Sequence, residues 1–186
     1  RFATEIIKAI RAAVDRPPQA QCEPPEDDAW HRRMKDAGID SLGMHLEVVT
    51  PELRAEIMPG KAQVPLEKYF DSFAAAVDVF GWGQVSTYIL AGLGDTPDAI
   101  LEMSERLTAI GVYPFVVPFV PVSGTPLESH AAPTPAFMHN GLPPWAAMIR
   151  KAGMSAEDIK AGCGRCGACS ALSAFEKFAP KEKALA

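Results

Sequence analysis

The sequence concentrates lysine and arginine nowhere, so neither a nucleic-acid groove nor an anionic-membrane surface is indicated. Over 186 residues, 18 Lys and Arg stand against 23 Asp and Glu, a formal net charge of −5. Long hydrophobic runs are missing as well. The longest, Gly111 to Val122, is interrupted by Pro114, Pro118 and Pro121 and is too short for a bilayer-spanning helix. No secretory signal opens the sequence, so a cytoplasmic location is expected, with neither membrane nor nucleic acid as partner. There is no Ser-His-Asp order, no phosphate-binding loop followed by Lys and no His-Glu-x-x-His helix. What remains is ordinary globular composition, 48% apolar and 22% charged, in a length that suits one domain plus an appendage.

Cysteine is scarce but clustered. Of four, Cys163, Cys166 and Cys169 form Cys-Gly-Arg-Cys-Gly-Ala-Cys, and Cys22 lies far upstream. Glycines between thiols let the backbone curl so that successive thiolates face one centre, which suits a metal or an iron–sulfur cluster better than a disulfide framework. Three thiolates are one short of a closed tetrahedral site. A fourth ligand is sought among Cys22, His130 and His139, or one position stays open.

Along the chain, apolar residues switch between the helical period and short β-rich runs. Thr4 caps a helix carrying Ile6, Ile7, Ile10 and Val14, stopped by Pro17 and Pro18. A strand over Ala20–Cys22, a helix through Ala37 and a strand within 39–49 follow. The clearest amphipathic helix runs from Leu66 to Phe80. A strand over Val85–Leu90 leads to a helix with Thr96 as cap and Pro97 at its first position, then a strand from Val112 to Val122. Such α-β alternation means parallel strands joined by crossovers, with helices outside. Beyond about residue 130 it stops. We expect a loop over 133–144, a helix over 145–151, a short helix opened by Ser155 and Asp158, and a last helix over 171–178 bearing Leu172, Phe175 and Phe178 on one side.

Function in parallel α/β sheets collects at the carboxyl ends of strands. Glu23, then His45 and Glu47, then Gly92, Gly94 and Asp95, then Ser123 and Thr125 all fall there. Each has a bland explanation, but four strand ends delivering polar or glycine-rich residues to one rim favour a ligand site. A carboxylate such as Glu47 would accept hydrogen bonds from ribose hydroxyls or an amino group.

The segments Gly43-Met44-His45-Leu46-Glu47, Ile89 to Thr96, and Pro121 to Leu127 resemble, in order and separation, those of biotin-synthase-like radical S-adenosylmethionine (SAM) enzymes. The resemblance covers about residues 1–128, and the cysteine-rich ending resembles an uncharacterised branch often encoded beside nitrilases. It implies a [4Fe–4S] cluster that binds SAM and, with one electron from a partner such as ferredoxin or flavodoxin, yields a 5′-deoxyadenosyl radical that takes hydrogen from a small substrate. By matching position, Glu47 contacts SAM, Gly92, Gly94 and Asp95 shape the floor beneath it, and Val120 meets adenine. A basic partner for the SAM carboxylate is not assigned, neither Arg54 nor Lys68 aligning cleanly.

One departure is large: the family's Cys-x3-Cys-x2-Cys run is absent. With Arg1 at its head, the sequence reads as the later part of a longer protein. The expectation is therefore an α/β fold, a partial (β/α) TIM-type barrel truncated at its N-terminus. Residues 1–130 would form the core and 131–186 an extension holding a metal through Cys163, Cys166 and Cys169. Two other readings stay open. One is a non-catalytic iron–sulfur or electron-transfer module on a half-barrel; the other is a barrel lyase using Glu23, His45 and Glu47 as acid–base groups or metal ligands.

Overall fold

The computed structural model describes residues 2–178. Helix α1 (Phe2–Ala13) leads into β1 (Gln19–Gln21), α2 (Ala29–Asp36) and β2 (Ser41–Gly43). Two short helices, α3 (Pro51–Ile57) and α4 (Pro59–Ala62), precede α5 (Leu66–Phe80), β3 (Val85–Ala91), α6 (Pro97–Ala109) and β4 (Val112–Pro118). The chain ends in α7 (Pro135–Lys151), α8 (Cys163–Cys166) and α9 (Leu172–Phe178). The strands lie in the order β1-β2-β3-β4, every neighbouring pair parallel. This is the partial (β/α) barrel that the alternation predicts.

Local chemistry sets most boundaries. Thr96 accepts from the Ala99 N–H and Pro97 follows it, so α6 starts where cap and ring agree. Helix α5 matches its apolar period to the residue, burying Tyr69, Phe73, Ala76 and Phe80. The strand predicted within 39–49 is regular only over Ser41–Gly43, and the one predicted to reach Val122 stops at Pro118. Helix α7 starts at Pro135, about ten residues before the expected position. Thr134 caps it, and Pro143 and Pro144 lie within it. Burial of Leu142, Trp145, Ala146 and Ile149, with the Trp145 indole N–H donating to the Pro97 carbonyl, offsets the backbone bonds that the prolines remove. Ser155 and Asp158 make only a turn, and Phe178 is 85% exposed rather than aligned with buried Leu172.

Register pairing places Gln19, Gln21, Ser41, Gly43, Ser86, Tyr88, Tyr113 and Phe115 on one face of the sheet. Leu42, Val85, Ile89, Val112 and Val116 lie on the other, within the core shared with α5 and α6. The first face is covered by the segment that follows α7. Lys160 N–H donates to Gln84 Oε1, the Gln84 amide donates to the Asp158 carbonyl, and Ala161 N–H donates to Ser41 Oγ. Glu176 of α9, 2% exposed, accepts from the Tyr113 hydroxyl and from Ala156 N–H. Among the described residues, no helix is long and apolar enough to cross a membrane.

Candidate functional site

Strand β2 reaches its carboxyl end through a bulge. Gly43 pairs with Ser86 and Glu47 with Ile89, so four residue steps on one side oppose three on the other. The extra residue interrupts the ladder, and side chains fill the gaps. Tyr88 N–H donates to His45 Nδ1 at 3.1 Å, and Leu46 N–H donates to Thr87 Oγ1 at 2.8 Å. Pairing resumes at Glu47, whose φ of 67° makes it the one non-glycine residue with positive φ among those described. A bulky side chain held there is strained, and such strain collects at ligand sites.

Glu47 stands beside a cation that sequence reasoning missed. Lys61, on α4, lies 3.3 Å from Glu47 Oε1 and 3.1 Å from Glu23 Oε1, and donates to the His45 carbonyl at 2.8 Å. Glu23 also accepts from the Tyr69 hydroxyl of α5. The ends of β1 and β2 are thus drawn together by one ammonium. The sequence signal was slight, a Pro-Gly-Lys turn 14 residues after Glu47. Of the two basic residues considered earlier, Arg54 is buried and donates to the carbonyls of Leu46 and Val48, with its guanidinium over the Tyr69 ring. Lys68 is near His31 instead, where its charge disfavours the imidazolium.

Two of the three predicted strand-end groups after β3 shape a turn. Gly92 has φ 106° and Gly94 φ 107°; a Cβ would meet Pro133 Cδ at 2.7 Å on the first and Leu53 at 3.0 Å on the second. Only glycine allows both the turn and the close approach. Asp95, 3% exposed, accepts from Val49 N–H (2.8 Å), Thr50 N–H (3.0 Å) and the Thr50 hydroxyl (2.5 Å). Its carboxylate therefore fastens the segment that follows Glu47. His130 bonds the Gly92 carbonyl at 2.8 Å, and Val120 is 66% exposed beyond β4.

The cysteines differ in exposure. Cys163 is half-buried against the core and Cys169 is exposed; burial first, then the neighbourhood of these two thiols, raises the proton affinity of the Tyr88 hydroxyl. Cys166 is exposed and lines a different cavity with Glu157, Arg165 and Lys177. Cys22 is half-buried, its thiol pushed up to about 11 by burial and by Glu23. His139 is exposed on α7. Among the described residues, no three His, Cys, Asp or Glu side chains are placed to hold one metal ion. The three thiols as arranged do not form the centre their spacing suggests.

His45 links rim and inner face. Its ring lies 4.5 Å from that of Tyr88, centroid to centroid. Burial, then Lys61, lowers its pKa to about 4 against the opposing pull of Glu23. With Nδ1 accepting from a backbone N–H, the neutral ring carries its proton on Nε2, and that buried atom has no partner. The ring is thus a neutral donor.

No family model matches the chain. Over 107 residues it is 36% identical to the bacteriochlorophyllide c C-7(1)-hydroxylase of Chlorobaculum limnaeum, a stretch taking in 56% of this chain and 26% of that protein. Over 137 residues it is 26% identical to the probable dual-specificity RNA methyltransferase RlmN of Moorella thermoacetica, covering 67% of this chain and 35% of that one. The chain therefore spans about a quarter to a third of the curated relatives it matches. Among solved structures, coproporphyrinogen III oxidase (HemN) from Escherichia coli, a radical SAM enzyme, superposes with a TM-score of 0.61 at 14% identity over 81% of this chain and 37% of its own. The radical SAM methyltransferase TsrM from Kitasatospora setae gives 0.51 at 17% identity over 67% and 25%. The described residues share part of the (β/α) fold of these two radical SAM enzymes.

Proposed function

We propose that these residues act by themselves as a binding scaffold: a partial radical-SAM-type barrel whose rim receives SAM and whose tail carries thiols, without radical chemistry of its own. The observation that supports this reading is Lys61 held between Glu23 and Glu47 at the ends of β1 and β2. SAM carries a carboxylate, an amino group and ribose hydroxyls. Its carboxylate would take Lys61, and its amino group or hydroxyls would take Glu47, exchanging charge pairs without leaving one bare. Val120 would offer an apolar contact to adenine. Gly92, Gly94 and Asp95 would set the turn beneath, Asp95 acting through Val49 and Thr50. In a longer, biotin-synthase-like protein the same rim would serve an enzyme with a [4Fe–4S] cluster, a ferredoxin or flavodoxin as reductant and a small-molecule substrate. No Cys-x3-Cys-x2-Cys run is present here, so no step of that chemistry is assigned to these residues.

The test is calorimetric. Glu47→Gln is expected to weaken SAM binding about ten- to hundredfold, the worth of a charge-assisted hydrogen bond of about 1.5–3 kcal/mol. Equal affinity in the two proteins would remove Glu47 from the site.

A second reading is supported by the spacing of Cys163, Cys166 and Cys169 and by the packing of Cys163 against the core. Here residues 131–186 are an extension that binds a metal or iron–sulfur cluster, and exposed Cys166 and Cys169 must turn toward Cys163 to form the centre. After anaerobic reconstitution, replacing Cys163, Cys166 and Cys169 together by Ala is expected to lower iron per chain. Unchanged iron would reject the assignment.

A further inference from the structure

What holds a glutamate in a backbone conformation that favours glycine? Glu47 has φ 67°, and Val48 N–H donates to the Leu46 carbonyl at 2.9 Å. A bond from residue i+2 back to residue i across a positive φ makes a γ-turn of the rare, strained hand. One side of this turn is fixed by β3: Glu47 N–H donates to the Tyr88 carbonyl at 2.8 Å, and Leu90 N–H donates to the Glu47 carbonyl at 2.7 Å. On the other side stands Arg54 of α3. Its Nη1 donates to the Leu46 carbonyl at 2.5 Å and to the Val48 carbonyl at 3.0 Å, so one nitrogen bridges the residues before and after Glu47.

The same guanidinium touches the supports of the other two rim groups. Its Nη2 donates to the Lys61 carbonyl at 3.5 Å, and it lies 5.3 Å from the centre of the Tyr69 ring, whose hydroxyl donates to Glu23. Arg54 is 2% exposed, yet its partners are carbonyl oxygens and a ring face rather than a carboxylate. A buried charge is ordinarily paired with an opposite one, so a guanidinium placed this way serves by its planar fork more than by its charge. Its own helix is anchored too. Thr50, which caps α3, is bonded through its N–H and hydroxyl to Asp95, and Arg54 N–H donates to the Thr50 carbonyl at 2.9 Å.

We propose that Arg54 is the positioning residue of the rim, a buried clamp that holds the strained turn at Glu47 closed and fixes Glu47, Lys61 and Glu23 as one set. It acts through these three groups rather than on a ligand, and its consequence for binding rests on the reading that the rim receives SAM. Lysine cannot replace it, because an ammonium keeps the charge but loses the fork that reaches three carbonyls from one plane.

The test begins on the full chain without ligand. Urea unfolding midpoints are compared for wild type, Arg54→Lys, Glu47→Gly and the double variant. Glycine takes a positive φ freely, so Arg54→Lys is expected to lower the midpoint by about half as much, or less, in the Glu47→Gly background. An equal drop in both backgrounds overturns the clamp. Where Arg54→Lys alone does not fold, a folding transition regained in the double variant supports the clamp, and none regained overturns it. Amine acylation read by mass spectrometry reports the geometry directly. Lys61 is expected to react about tenfold faster in folded Arg54→Lys, with Lys8 and Lys177 at their wild-type rates. An unchanged Lys61, or a uniform rise in all three, overturns the proposal. Calorimetry with SAM then separates the clamp from the reading it serves. Binding that weakens about tenfold in Arg54→Lys supports both. A wild type that binds no SAM, with Lys61 still faster in the variant, removes SAM from the rim and leaves the clamp in place. Measurable and equal affinity in the two proteins overturns the positioning role.

Discussion

Asp95→Ala is expected to destabilise the protein by about 3–5 kcal/mol, lowering its melting temperature by on the order of 10 °C. The carboxylate is buried and all its bonds run to one short segment: the N–H groups of Val49 and Thr50 and the Thr50 hydroxyl. Hydrogen bonds to a charged acceptor each contribute more than neutral ones, and truncation leaves the buried Val49 N–H with nothing to replace its partner. Asp95→Asn keeps one acceptor oxygen but turns an NH2 group toward N–H donors, so an intermediate loss is expected. Urea unfolding of the three proteins decides it. A loss below about 1 kcal/mol for the alanine variant would show that the carboxylate does not hold the turn after Glu47.

The second large effect is a loss of stability in acid that His45 carries. Its folded pKa lies near 4, below the ordinary 6.5, because burial and Lys61 both oppose the imidazolium. His31, fully buried between α2 and α5 beside Ser72, is shifted the same way, by burial first. Between these values the unfolded chain binds more protons than the folded one. Stability is therefore fully present above pH 6.5 and is lost as pH falls toward the folded values. For His45 the loss is on the order of 3 kcal/mol by pH 4. Buried Glu176, whose pKa is raised by burial, acts with the opposite sign, so the comparison must be made with a variant. Unfolding free energies of wild type and His45→Gln, measured from pH 7.5 down to 4.5, are expected to converge as pH falls. Parallel curves would mean that His45 is free to protonate in the folded state.

Most of the scaffold could be read from the residues because it rests on local rules. The period of α5, the Thr96 cap with Pro97, and the β-rich run of β3 each specify their element without tertiary help. Helix α7 was missed because Pro143 and Pro144 argue locally for a loop, and only burial of Trp145 and its neighbours overrides them. Helices α3 and α4 are too short to show a period. At the rim, Glu23 and Glu47 were legible as strand-end carboxylates, but Lys61 was not, since a surface lysine in a turn carries no signal until its partners are in space. The cysteines show the reverse case. Their even spacing suggests three equivalent ligands, yet Cys163 is half-buried against the core while Cys166 and Cys169 are exposed.

The bulge before Glu47 also sets what this protein can tolerate in length. Removing one residue between Gly43 and Glu47 would leave three steps against three, so Glu47 could still oppose Ile89 and keep its face. What would go is the interruption itself, with the bonds from Tyr88 N–H to His45 Nδ1 and from Leu46 N–H to Thr87 Oγ1 that fill it and the positive φ that sets the direction of Glu47 toward Lys61. The connection between β4 and α7 has no such constraint over Ser123 to Thr125, where the backbone pairs with no strand. Shortening or lengthening there should change reach and leave handedness of the faces intact. Across related sequences, gaps should therefore gather in that connection and stay out of the five residues from Gly43 to Glu47.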